Sequence, residues 1–147
     1  MGTIQSTFSA THARWFEGMV LNQEPADIVT RVAEDVEGIG FGKVCVQGTL
    51  EKQVVDSEAT AVFVGISVAD PGQPADTYAQ YANVAVMKRG VIVVSASEAV
   101  APGDPVYYTP ATGVLSKTST SNTLIAGAIW ETARDANNLA AIRLNTP

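Results

Sequence analysis

The residue types that carry most enzyme chemistry are scarce in this sequence. It contains one histidine, His12, and one cysteine, Cys45, beside fifteen aspartates and glutamates. A Ser-His-Asp or Cys-His site needs its histidine on a rigid scaffold, whereas His12 lies in a polar leading stretch. A zinc site needs three or four histidine, cysteine or acidic ligands. We therefore expect no catalytic centre, no metal site and no cofactor.

Two weaker sources of chemistry are a carboxylate pair and a glycine-rich loop. The fifteen carboxylates are numerous enough that paired acids for glycoside hydrolysis are not excluded, but only Glu131, which follows Trp130, stands in an obviously apolar context. A carboxylate at the solvent side of a strand end is the simpler interpretation. Gly38, Gly40 and Gly42 lack the spacing and the following helix of a phosphate-binding loop. They predict a bent or bulged strand start, and a small hydrolase is the least favoured hypothesis.

Aromatic side chains offer a different kind of site. Tyr78 and Tyr81 follow a loop with two prolines at residues 70–74. They predict either a platform that stacks on carbohydrate or ordinary loop packing. Trp130 is expected in the core. Tyr107 and Tyr108 are adjacent in an extended stretch, so one should face the core and the other the surface or an interface.

Charge narrows the classes of partner. The chain has 147 residues, a net charge of −6 and only 16% charged residues. Nucleic-acid binding requires basic patches, whereas the nine lysines and arginines of this chain are scattered. We therefore expect no nucleic-acid partner. A partner membrane with an anionic surface is disfavoured because it too would require clustered basic residues. The low charge content favours a surface partly covered by protein neighbours. One cysteine allows no internal disulfide, and the first residues lack the features of a secretory signal.

The elements that position these residues begin with a separate leading segment. Residues 1–14 alternate between polar positions and mildly apolar ones, carry no charge before Arg14 and are rich in threonine. This pattern predicts an extended N-terminal arm over residues 1–14 and a single β-rich body over residues 15–147. The arm could add as a strand to a sheet edge of a partner. The candidate contact residues are Ile4, Phe8, His12 and Trp15.

The body reads as many short strands separated by turns. Turn signals recur about every 8–12 residues, which is typical of an all-β sandwich or barrel. We predict a small barrel or sandwich of short antiparallel strands, with at most one or two short helices, at residues 97–100 and 131–136. The predicted strands are residues 15–21, 28–33, 43–47, 61–69 with Val62, Val64, Ile66 and Val68 on one face, a hairpin of 83–88 and 91–96 around Arg89-Gly90, a hairpin of 106–109 and 114–117, then 124–130 and 139–144.

The order of these segments resembles a known family. The segments are IVTRVAE at 28–34, GFGKVCVQG at 40–48, VFVGISV at 62–68, VAVMKRGVIVV at 84–94, EAVAPGDPVY at 98–107, IAGAIW at 125–130 and AIRL at 141–144. Together they resemble the structural cement, or head decoration, proteins of tailed bacteriophages.

This resemblance implies a non-enzymatic structural protein of the virion. Such a protein, made in the host cytoplasm, would bind the major capsid protein on the outer surface of the assembled head, commonly as a homotrimer, and stabilise the shell. It implies no catalysis. The alternative from a different class is a carbohydrate-binding β module of a phage tail or fibre, which would use Tyr78, Tyr81 and Trp130 as stacking surfaces.

Overall fold

The fold consists of short strands joined by turns. The structure is a computed structural model that describes residues 15–56 and 62–146. Within these ranges there is no α-helix, and the one helical element is a 3-10 turn at Pro74–Asp76. The strands are β1 (Asp27–Ala33), β2 (Ile39–Gly40), β3 (Val44–Gln47), β4 (Gln53–Val55), β5 (Phe63–Ser67), β6 (Thr77–Tyr78), β7 (Asn83–Ser95), β8 (Pro105–Tyr108), β9 (Leu115–Ser116), β10 (Thr123–Trp130) and β11 (Leu139–Asn145).

Five strands close into a ring. The sheet runs in the order β1-β4-β3-β5-β7, and β1 also pairs with β7. The β1–β4 pair is parallel, with Val32 opposite Gln53, and the other pairs of the ring are antiparallel. Closure leaves these strands few free edges. The all-β prediction is therefore confirmed, as a small barrel with extra strands.

The extra strands extend from β7. They follow in the order β11-β10-β8-β9, and a bridge from Ala96 to Leu115 brings β9 back towards the end of β7. The predicted hairpin of β8 and β9 is confirmed, with Tyr107 opposite Ser116 and Gly113 at a φ of 71° in its turn. Strands β10 and β11 are also confirmed. The two predicted helices are wrong, since both segments are irregular.

Two apolar clusters form the core. The smaller one fills the ring and takes a side chain from every ring strand, including Ala33, Val54, Cys45, Val64 and Val86. The larger one lies between the outer face of the ring and the extra strands. The ring strands β3, β5 and β7 are consequently buried on both faces. Burial on both faces gives continuous apolar runs rather than alternation.

The predicted hairpin around Arg89 is wrong, because β7 is one strand of 13 residues. It pairs with β5 at Val86 and Met87, and with β11 from Arg89 to Ser95. Gly90, at a φ of 130°, lies within the strand where it changes partner. Glycine adopts this conformation readily, so the same residue that suggests a turn permits a bend instead.

The predicted apolar face of residues 61–69 is also wrong. Cys45 pairs with Gly65 and Val46 pairs with Phe63, so Val64 is an extra residue in a β-bulge. A bulge reverses the alternation of side chains. Ile66 therefore faces the larger cluster and Val64 the smaller one.

Candidate functional site

The predicted arm is followed in the sequence by residues 15–21, which we name the root and whose backbone is bonded to the body. This segment was predicted as the first strand, but it contains a turn, and only Val20 forms a bridge, with Ile92. Its backbone bonds to the edge of β7: the Gly18 amide donates to the Val93 carbonyl at 2.8 Å, and the Leu21 amide donates to the Val91 carbonyl at 3.1 Å. Main-chain hydrogen bonds therefore hold the root against β7.

Two glycines allow the root to approach the ring closely. Gly18 has a φ of 80°, and a Cβ placed there would lie 2.8 Å from the Ala69 amide nitrogen. Gly42 has a φ of 67°, and its Cβ would lie 2.8 Å from the Gly18 nitrogen. The Gly18 carbonyl also accepts a hydrogen bond from the Ala69 amide at 2.9 Å. Side chains larger than hydrogen would force this junction apart.

The predicted arm contacts fall in two places. Ile4, Phe8 and His12 lie outside the described residues. Trp15 is buried at the root, whereas its neighbour Phe16 is 58% exposed. Phe16 lines an open groove of about 750 Å³ at the root. Of this pair, Phe16 rather than Trp15 exposes apolar surface.

The groups that could do covalent or metal chemistry are inert or dispersed. Burial raises the pKa of the Cys45 thiol to about 12, so the thiolate that would act as a nucleophile is not formed near neutral pH. No three His, Cys, Asp or Glu residues stand close enough to hold a metal ion in the described parts of the chain. The same parts contain no helix that is long and apolar enough to cross a membrane.

Glu131 belongs to an ion-pair network at the surface. Arg143 on β11 donates from Nη2 to Glu131 Oε1 at 3.1 Å and also bonds to Glu24 through both terminal nitrogens. These hydrogen bonds lower the pKa of Glu24. Glu131 is thus the solvent-side carboxylate that the sequence indicates, and Arg143, through Glu24, ties β11 to the segment that precedes β1.

The two candidate glycan tyrosines have opposite environments. Tyr78 is fully buried, its hydroxyl donates to the Val68 carbonyl at 2.5 Å, and its ring packs edge-on against Phe41 at 5.4 Å. Tyr81 is 68% exposed, with a φ of 65°. Burial removes Tyr78 from any stacking platform, so the pair does not form the surface that its spacing suggests.

Other aromatic predictions hold. Trp130 is fully buried, and its indole nitrogen donates to the Ser116 carbonyl at 3.4 Å. Tyr108 is buried and Tyr107 is half-buried, as expected for neighbours on a strand. Several large apolar side chains are exposed, although no local motif in the sequence marks them as surface residues. They include Phe16, Ile28, Val36, Leu50, Val62, Val114, Leu124 and Ile129.

Comparison with solved structures identifies the class of fold. A chain from the structure titled "The capsid of Myoviridae Phage XM1" superposes with a TM-score of 0.77 at 18% sequence identity. The match covers 97% of this chain and 97% of that chain. The likeness establishes a shared fold across nearly the whole length of both chains.

Comparison of sequences gives the family. The sequence model of phage cement proteins, described as "Structural cement protein (E217 gp24/Pam3 gp6)", matches residues 4–145. The chain belongs to this family of phage structural cement proteins, which is not an enzyme class, and it is a component of the virion capsid. No curated protein matches the sequence.

Proposed function

We propose that this cement protein binds the outer surface of the assembled head as a homotrimer, and that it stabilises the shell by bridging major capsid subunits. The observation that carries the proposal is the family match over residues 4–145, which spans both the arm and the body. The structural neighbour was itself solved within a phage capsid, according to its title.

The N-terminal arm is the proposed capsid-binding element, with Ile4, Phe8 and His12 as its contacts and Trp15 as its buried anchor. An extended segment that adds to a sheet edge binds through backbone hydrogen bonds, while alternate side chains fill pockets. The root supports this role, because its bonds to β7 fix the point from which the arm leaves the body. Threonine-rich extended chain suits such an addition.

Trimerisation explains how a short arm could hold firmly. Ordering an extended segment costs about 1–2 kcal/mol per residue in backbone entropy, so one arm binds weakly. Three arms on one trimer raise the avidity by about 10²–10⁴-fold. A trimer also carries three times −6, a charge of −18, which suits exposure on the outside of a shell and discourages aggregation.

The test is co-sedimentation with expanded, undecorated heads of the phage that encodes this chain. The full chain should pellet with the heads and raise the temperature at which they rupture. Its mass in solution should be three times 15.4 kDa, about 46 kDa. Intact protein that stays in the supernatant would overturn the proposal.

Two variants of the chain test the arm itself. Deletion of residues 1–14 should leave folding and the oligomeric state unchanged but reduce attachment. Phe8→Asp should weaken attachment far more than its matched control, Thr7→Asp, because neighbouring residues of an added strand face opposite sides. A truncated chain that unfolds would show that the arm is part of the body, and one that attaches normally would remove the arm from the contact.

A further inference from the structure

A second surface of the body has the chemistry of a binding groove. It opens where β7 stops pairing with β5 and begins to pair with β11, and we name it the seam groove. The β5–β7 pairing covers only Ile66 and Ser67, and the β10–β11 pairing covers only Ile129 and Trp130. The first halves of β5 and β10 thus diverge from these neighbours and line a groove of about 550 Å³.

The floor and one wall of the seam groove are apolar. Phe63 and Tyr108 form the floor, with ring centroids 5.8 Å apart. Leu124, which is 51% exposed, lines it from β10. Tyr108 belongs to the larger core cluster and Phe63 packs against it, so that cluster approaches the surface at the seam groove.

The polar part of the seam groove is cationic. Arg31 and Lys88 line it, and none of the aspartates and glutamates that the structure describes does. Neither cation forms an ion pair within residues 15–56 and 62–146, whereas Lys43, Lys117 and Arg143 do. The buried Nε of Arg31 has no hydrogen-bond partner among the described residues. Two unpaired cations on one site are notable in a chain whose net charge is −6.

From this we infer, on the basis of the proposed function, that the seam groove docks an extended acidic segment of the major capsid protein, whose carboxylates pair with Arg31 and Lys88 and whose apolar side chains cover Leu124 and Phe63. Residues 1–14 of a neighbouring copy are a poorer occupant, because they contain no aspartate or glutamate and end in Arg14. Charge complementarity therefore selects a capsid segment over the arm.

Lys88→Glu tests the charge and Leu124→Asp tests the apolar wall. Matched controls are Lys52→Glu and Val36→Asp, since Lys52 is exposed without an ion pair and Val36 is 81% exposed, and both lie outside the seam groove. The readouts are the dissociation constant for expanded heads at two ionic strengths, the mass in solution and the unfolding temperature.

Both groove variants should bind heads about tenfold more weakly or worse, with mass and unfolding temperature unchanged, and the controls should bind within about twofold of the parent. Added salt should weaken the parent more than Lys88→Glu. If Leu124→Asp does not fold, Lys88→Glu and Lys88→Gln carry the test.

Three results would overturn the inference. Groove variants that bind heads like the parent would remove the seam groove from the contact. Variants that lose their oligomeric mass while staying folded would make it an interface between copies of this chain. A parent chain that fails to bind heads would contradict the proposed function itself, and the inference, which rests on it, would fall too.

Discussion

The stability losses of three glycine-to-alanine substitutions distinguish a bend within β7 from a hairpin turn at the same place. Gly103 lies in an exposed turn at a φ of 92°, and a Cβ there would meet no atom within 4 Å. Gly65 lies on β5 without a positive φ, and its Cβ would lie 2.3 Å from the Met87 carbonyl oxygen. Gly90 combines both features: its φ is 130°, and its Cβ would lie 3.0 Å from Ala26 Cβ.

The expected losses of unfolding free energy follow from these environments. Gly103→Ala should lose only about 1–2 kcal/mol, which is what a residue with a Cβ costs at a positive φ. Gly65→Ala must push β5 and β7 apart, at about 3 kcal/mol or more. Gly90→Ala adds local crowding to the backbone cost, for a total of about 2–4 kcal/mol. At this chain length, each 1 kcal/mol corresponds to about 2–4 °C in Tm.

The assay is thermal and denaturant unfolding at one fixed protein concentration, followed by the fluorescence of the two buried tryptophans, Trp15 and Trp130. If residues 83–96 formed a hairpin, Gly90 would be a turn glycine, and Gly90→Ala would cost the same as Gly103→Ala. Equal losses for these two variants, or a tolerated Gly65→Ala, would refute the description of β7 as one bent strand packed against β5.

Three further predictions concern stability. Ile66→Ala should cost about 2–5 kcal/mol, while Val62→Ala, at a residue 72% exposed, should cost less than about 0.5 kcal/mol in denaturant unfolding; equal effects would contradict the bulge. The Cys45 thiol should react with a thiol reagent only after unfolding. The free energy of unfolding should fall as pH rises from 9.0 towards 12, because the thiol ionises at a lower pH in the unfolded chain than in the folded one. Cys45→Ala should flatten this pH dependence, and an unchanged slope of unfolding free energy against pH would contradict the prediction. Hydrogen bonds from Thr49 lower the pKa of Glu34, so stability should fall as pH drops below 4.5, less so in Glu34→Gln, and titration of unfolding against pH checks this.

Local sequence signals were sufficient for much of the fold. The β8–β9 hairpin has a turn between two β-rich runs, and Ile142 and Leu144 alternate with Arg143 and Asn145 as a half-buried strand should. Such features depend on neighbours along the chain, which the sequence displays directly. The ordered segments also sufficed for the family resemblance, which the match over residues 4–145 bears out.

The misassigned segments depend on contacts between distant residues. A turn and a bent strand both favour glycine, so Gly90 alone cannot distinguish them; the pairing of Arg89 with both Asp27 and Asn145 does. The bulge at Val64 arises from the register with β3. The seam groove likewise takes its residues from six strands and the segments beside them, and no local motif marks it.

Electron cryo-microscopy of expanded heads, with and without added protein, tests the central claim most directly. The account predicts new density on the outer surface, in the shape of a trimer, with an extended segment from each copy lying along the shell. Density confined to the inner surface, or heads whose reconstruction is unchanged by saturating intact protein, would contradict it.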